Sequence, residues 1–267
     1  MPKAAFLIVS VLSLAGCGGG SSTVPSSITP PAATSPAFIQ VASAVCHTGG
    51  PGPQCSNTFS INITTKAGNA ILVPFWFNGS NQTTVQVADS NNDVFSAWAT
   101  VPTADLNDSP SFLYATKNAV GGAVTINLTF NIVPSTVYGG ALEYSGVTHG
   151  TDASITASNL YTQQTQGQVF DSASFVTHLN NELVFGLAVA DFGVQSGNGW
   201  TPRLGCTPSQ PESASGYFCF EEQPGPQMAT FDATFVTNFH SPGSGGLGAA
   251  PSPSAPNGSG VAAFSIY

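Results

Sequence analysis

Only 6% of the side chains in this sequence are Asp, Glu, Lys or Arg, against 42% hydrophobic, and that imbalance limits the available folds more than any motif does. A surface helix needs charged residues along its wet face, and ordinary soluble domains carry about 25% of them. Helical bundles and coiled coils are therefore excluded. The sign of the charge excludes a function class as well. Four Lys and Arg against thirteen Asp and Glu, net −9, leave no cationic surface to neutralise phosphates, so no nucleic acid is expected as a partner. Eighteen Phe among many Gly, Ser, Thr and Asn residues supply enough apolar surface for a core. One compact β domain is expected.

From Ala37 onward, short runs rich in Val, Ile, Phe, Thr and Tyr are separated by Gly, Asn, Asp, Ser and Pro, at the spacing of an antiparallel β-sandwich. Strands are expected near 37–46, 58–65, 69–77, 83–88, 93–99, 111–117, 122–131, 137–145, 169–177, 182–191, 215–220, 228–236 and 260–267. Val124, Ile126, Leu128 and Phe130 alternate with Ala123, Thr125, Asn127 and Thr129, a two-residue period with one buried face. Ile71–Phe77 and Leu183–Val189 are apolar on both sides, as central strands covered on two faces are. Asp89 to Asp93 reads as a hairpin turn joining two strands. Leu204–Gln227 reads as an elaborated loop with a short strand in it, and 240–260, rich in Ser, Gly and Pro, as a mobile loop.

The chain opens with Lys3 and an apolar stretch from Ala4 to Leu14, too short for a permanent membrane span. Leu14-Ala15-Gly16-Cys17 follows and resembles the lipobox of bacterial lipoproteins. That resemblance implies cleavage after Gly16, so that residues 1–16 are a signal peptide, and a diacylglyceryl thioether on Cys17. It also implies attachment to the membrane through that lipid, two or three acyl chains holding far better than one. Gly18 in place of Asp favours an outer-membrane or cell-surface address within the envelope. Residues 17–36 carry no charge and many Gly, Ser and Pro, a disordered tether that extends by about 3 Å per residue where stretched.

The domain resembles the jelly-roll-like β-sandwich modules of bacterial secreted, surface and phage-tail proteins. The segments that carry the likeness are Gly68-Asn69-Ala70-Ile71-Leu72-Val73, Val87-Ala88-Asp89, Leu113-Tyr114-Ala115, Val124-Thr125-Ile126, Leu142-Glu143-Tyr144-Ser145-Gly146-Val147, Glu182-Leu183-Val184-Phe185-Gly186, Gly197-Asn198-Gly199-Trp200-Thr201 and Ala262-Ala263-Phe264. The likeness implies an all-β, two-layered jelly-roll-like sandwich over 37–267 and supplies no catalytic residue.

Apart from Cys17, four cysteines remain, an even number that suits an oxidising compartment. Local pairing, Cys46 with Cys55 and Cys206 with Cys219, is the most economical of three connectivities. No Cys-x-x-Cys occurs, so zinc and other metals are not expected. Asp89-Ser90-Asn91-Asn92-Asp93 begins like a calcium loop, but Val94 stands at position six and Thr100 at position twelve, which favours the hairpin. Gly243 to Gly248 fits a dinucleotide-binding pattern with no strand and helix around it, and no cofactor is expected. His47, His149, His178 and His240 have no Ser or Asp at a spacing that specifies a triad, so no catalytic residue is assigned.

Two constellations remain. Trp76, Trp98, Trp200 and Tyr114 are candidates for a flat sugar-stacking surface, with core packing as the alternative for each. Glu143, Glu182 and Asp191 lie at strand ends, where a glycosidase would need two acids facing across a cleft. The expectation is a lipid-anchored, non-enzymatic envelope module that contacts a neutral glycan or a surface protein through its loops. The alternatives are a secreted hydrolase and a purely structural lipoprotein. Exposed coplanar aromatics favour sugar, paired carboxylates favour hydrolysis, and neither favours protein contact or structure.

Overall fold

A computed structural model of the chain describes residues 35–49, 52–79, 83–101, 111–117, 120–148, 157–161, 169–189, 193–206, 218–225, 229–238 and 259–266. The signal segment, Cys17, nearly all of the tether and residues 240–258 lie outside them. Every regular element among the described residues is a strand. The first half of the domain holds β1 (Ala37–His47), β2 (Thr58–Thr65), β3 (Ala70–Asn78), β4 (Val85–Asp89), β5 (Ser96–Val101), β6 (Ser111–Lys117), β7 (Gly122–Phe130) and β8 (Thr136–Ser145). The second holds β9 (Ala157–Tyr161), β10 (Val169–Asp171), β11 (Phe175–Val176), β12 (Glu182–Val189), β13 (Gly193–Ser196), β14 (Thr201–Gly205), β15 (Phe218–Gly225), β16 (Thr230–Phe231), β17 (Thr234–Asn238) and β18 (Ser259–Ile266).

The fold is an antiparallel, jelly-roll-like β-sandwich, as expected, but built twice. Read from the first strand of each half, the large sheets have the orders β1-β8-β3-β6-β5 and β9-β18-β12-β15-β14, and the small ones β2-β7-β4 and β10-β17-β13. The halves match in register too. Ala70 pairs with Tyr144 and Lys117, and Leu183 with Ile266 and Pro224. Two residues before each, Gly68 and Asn181 turn the chain with φ of 83° and 63°. Register shifts fall at equivalent points, between Ala97 and Ala99 and between Pro202 and Leu204.

Three apolar clusters separate four layers, in place of the single pair of layers expected. Phe59, Ile61, Ile63, Val124, Ile126 and Leu128 of the first small sheet face Ile71, Val73, Phe75 and Phe77 of the first large one. Leu72, Trp76, Leu142 and Tyr144 face Phe185, Phe218, Phe220 and Phe264 across the middle. Val184, Ala188, Val261 and Ala263 face Phe170, Val194 and Phe235 on the far side. This is why the two doubly apolar runs, β3 and β12, are buried almost throughout: each is central in a sheet covered on both faces. β1 meets β14 while β5 meets β18, so the halves pack with their strand orders reversed, as two subunits about a twofold axis do.

Several local expectations are corrected. The Asp89–Asp93 segment is no hairpin turn: β4 pairs with β7 and β5 with β6, so the chain changes sheets there. The run expected at 169–177 divides into β10 and β11 around Ala173, whose φ is 64°. β9, β13 and β14 were not expected, and β15 extends to Gly225 inside a stretch read as loop. β14 carries Pro202, which an edge strand tolerates because one side of it makes no ladder bonds. Pro74 is central, and the ladder to β8 is missing at Val73 and Pro74. Opposite that gap lies Gly140, where a Cβ would sit 2.7 Å from Leu204 of the other half.

Candidate functional site

Strand direction gives the domain two distinct ends. Ala37 pairs with Ser145, so the chain enters the domain at the end where β8 finishes and where the β2–β3, β4–β5 and β6–β7 connections turn. Tyr144 meets Glu222 near that end, and Tyr138 meets Phe218 near the other, which aligns the halves. The connections β1–β2, β5–β6, β7–β8, β14–β15 and β17–β18 therefore all leave from the end away from Ala37.

Both disulfides are formed as expected, and both lie at that distal end. Cys46 bonds Cys55, and Cys206 bonds Cys219. The first closes the β1–β2 connection, where His47 N–H donates to the Pro53 carbonyl (3.0 Å) and Thr48 N–H to the Ser135 carbonyl (2.7 Å). The second closes the base of β14–β15, where Cys206 N–H donates to the Phe218 carbonyl (3.1 Å). Closing loops of these lengths stabilises by about 2–3 kcal/mol each in the chain-entropy picture. Ile132 and Val133 are exposed on the neighbouring β7–β8 connection, whose Pro134 carbonyl accepts the Thr48 hydroxyl (3.3 Å). Apolar side chains are thus presented beside a stapled loop.

At the proximal end a polar cluster joins the halves. Arg203, the bulged residue of β14, pairs with Glu222 and lies 4.0 Å over the Phe38 ring of β1. Tyr144 O–H donates to Glu222 Oε2 at 2.6 Å. Burial, reinforced by the Glu222 charge, pushes the Tyr144 phenol well up, so it stays protonated and remains a donor. Glu221, one residue earlier, points to the opposite face. Burial pushes its carboxyl up to about 9 against the opposing Gly197 N–H and Ser196. Its Oε2 accepts that N–H at 3.0 Å, and its Oε1 has no partner among the described residues. Neither carboxyl of this adjacent pair is open to a substrate: Glu221 is fully enclosed and Glu222 nearly so.

Those residues singled out in the sequence that the structure describes are dispersed. Trp76 is buried in the middle cluster and Trp200 in the cluster of the second half, 7% and 8% exposed, so these two indoles pack against protein in different layers. Trp98 occupies the bulge of β5 that matches Arg203 in β14. Glu143 is enclosed by Lys66 N–H and Asn69 Nδ2 (both 2.6 Å) and Gln40 Nε2 (2.6 Å). Glu182 accepts Leu179 N–H. By strand alternation Glu143 and Glu182 point away from one another, into opposite outer sandwiches, so they do not form a catalytic pair. Asp191, His149 and His240 lie outside the described residues. Sequence reading missed the Arg203–Glu222–Tyr144 cluster because its members come from three strands in two halves, and Pro202 and Arg203 gave no strand signal. Comparison of the chain with protein-family models, with curated proteins and with solved structures gave no match in any of the three.

Proposed function

We propose that this chain is a lipid-anchored envelope protein whose distal loops contact another protein. The observation that carries the reading is the position of the disulfides: each braces the base of a connection at the end of the sandwich away from Ala37, the two covalent staples being placed where loops leave the sandwich. Loops held on a rigid β scaffold are a common way to build a binding surface. Protein is favoured over a neutral glycan because Trp76 and Trp200 are committed to packing, and over hydrolysis because Glu143 and Glu182 point into opposite layers. The anchor rests on Leu14-Ala15-Gly16-Cys17, and the address on Gly18 favours the outer membrane or cell surface.

Two measurements test it. Labelling cells with an alkyne fatty acid is expected to mark the chain, and Cys17→Ala is expected to abolish both the label and membrane fractionation. A photo-crosslinking residue in place of Val133 is expected to give discrete protein adducts on intact cells, and one in place of Ala67, at the proximal end, to give none. An unlabelled native chain would remove the anchor. Retention on a neutral glycan array, with no adduct from Val133, would replace protein by sugar.

A further inference from the structure

We propose that the corner between β4 and β5 binds a calcium ion through Asp89, Asn91 and Asp93. These residues place side-chain oxygens at alternate positions of a tight turn, the arrangement hard divalent cations take. Asp89 is only 7% exposed, and its Oδ2 is buried with no hydrogen-bond partner among the described residues. An orphaned buried carboxylate oxygen is costly unless something positive meets it. The other oxygen of the same group, Oδ1, accepts the N–H groups of Asn91 (3.0 Å) and Asp93 (2.9 Å). Both bonds tie the carboxylate to the turn that carries Asn91 and Asp93. Asn92, with φ of 61°, lets the chain double back between the two acids.

The matching corner of the second half supplies an internal control. There Ser196-Gly197-Asn198-Gly199-Trp200 contains no carboxylate, and the N–H of Gly197 is met by Glu221 from a neighbouring strand. The duplicated fold therefore makes this corner without a cation, and only the first copy carries the acids for one. Val94 and Thr100 stand where a calcium-binding helical loop has Gly and a bidentate Glu. With two carboxylates, one amide and backbone or water oxygens, the site belongs to the weak class typical of extracellular modules, with Kd on the order of 0.1–1 mM.

The test is thermal unfolding of the full chain, stripped with a chelator and titrated with calcium or magnesium chloride at constant ionic strength. Calcium is expected to raise Tm by several degrees, about the shift a site of this class gives when nearly saturated, with magnesium much less effective. Asp89→Asn keeps the Oδ1 acceptor for both N–H groups and removes the charge; Asp93→Asn removes the second charge. Each is expected to weaken the calcium response at least about tenfold while leaving Tm in chelator unchanged or higher. A native chain indifferent to calcium, an equal response to magnesium, or an undiminished calcium response in both variants would overturn the assignment.

Discussion

In the first half of the domain the small outer sheet is continuous. Its strands run from five to nine residues, and β2 alternates strictly between exposed and buried positions. In the second half the same layer is assembled from pieces of two to five residues, interrupted at Ala173. The inner sheets, in contrast, are nearly superposable in order, register and bulge position. A strand with both faces buried has little freedom to break, because an unpaired backbone group there has no water to turn to. An outer strand can be interrupted where solvent takes over its hydrogen bonds. The duplicated topology is thus held by its shared middle and its turns, while each outer layer diverges.

If the middle governs, Phe185→Ala should cost more than any single change in an outer layer. Phe185 stacks on Phe220 and Phe264 at 5.3 and 5.0 Å and meets Tyr144 edge-on at 5.3 Å. Its truncation is expected to destabilise by about 3–5 kcal/mol. Val194→Ala in the second outer sheet is expected to cost about 1–2 kcal/mol. Urea unfolding followed by fluorescence measures both. Equal losses would mean that the halves are held independently.

The disulfides sharpen the comparison by a smaller margin. Their sequence separations, 9 and 13, predict nearly equal entropic stabilisation, so replacing either pair by Ser should cost about 2–3 kcal/mol. Their access differs. Cys219 is fully buried and Cys206 nearly so, whereas Cys55 is half-exposed. Under brief mild reduction followed by alkylation and peptide mass mapping, Cys46 and Cys55 are expected to be labelled first. The opposite order would show that the second half opens more readily than its burial implies.

The all-β class, most strand positions and both cysteine pairings were legible because each has a local signature: a period of two, a turn residue, a short Cys spacing. The duplication was not, since equivalent positions hold different chemistry. Val73 matches Gly186, Tyr114 matches Glu221, Glu143 matches Ser265, and Trp98 matches Arg203. Only the buried runs of β3 and β12 look alike, and apolar runs carry no register information by themselves. The hairpin at Asp89 failed for a related reason. Its turn residues were read rightly, with positive φ at Asn92, but whether a turn joins paired strands or carries the chain to another sheet is decided by a distant partner, here β6. The proximal polar cluster was illegible because Tyr144 and Arg203 meet only after the halves have packed.

The substitution of Tyr114 by Glu221 between the copies gives the last and smallest prediction. In the first half Tyr114 stacks near Phe75 at 6.0 Å. In the second, Gly186 replaces the larger Val73 and leaves room for a carboxyl: a Cβ on Gly186 would lie 2.9 Å from Glu221 Oε1. Burial holds that carboxyl at about 9, against 4.5 when unperturbed. Between those values the folded chain keeps a proton that the unfolded chain releases. Stability should therefore fall as pH rises through this window, by at most about 1.4 kcal/mol per pH unit, its contribution being complete only below the unfolded value. Glu221→Gln keeps an acceptor for Gly197 N–H and removes the ionisation, but buries an extra amide donor pair. The net gain at pH 7 is expected to be about 1–2 kcal/mol, turning into a net loss near pH 4, where only the burial cost of the amide remains. Urea midpoints of both proteins between pH 4 and 9 measure it. A constant difference across that range would mean that Glu221 is already ionised when folded, and that the second copy tolerates a buried charge where the first has an aromatic ring.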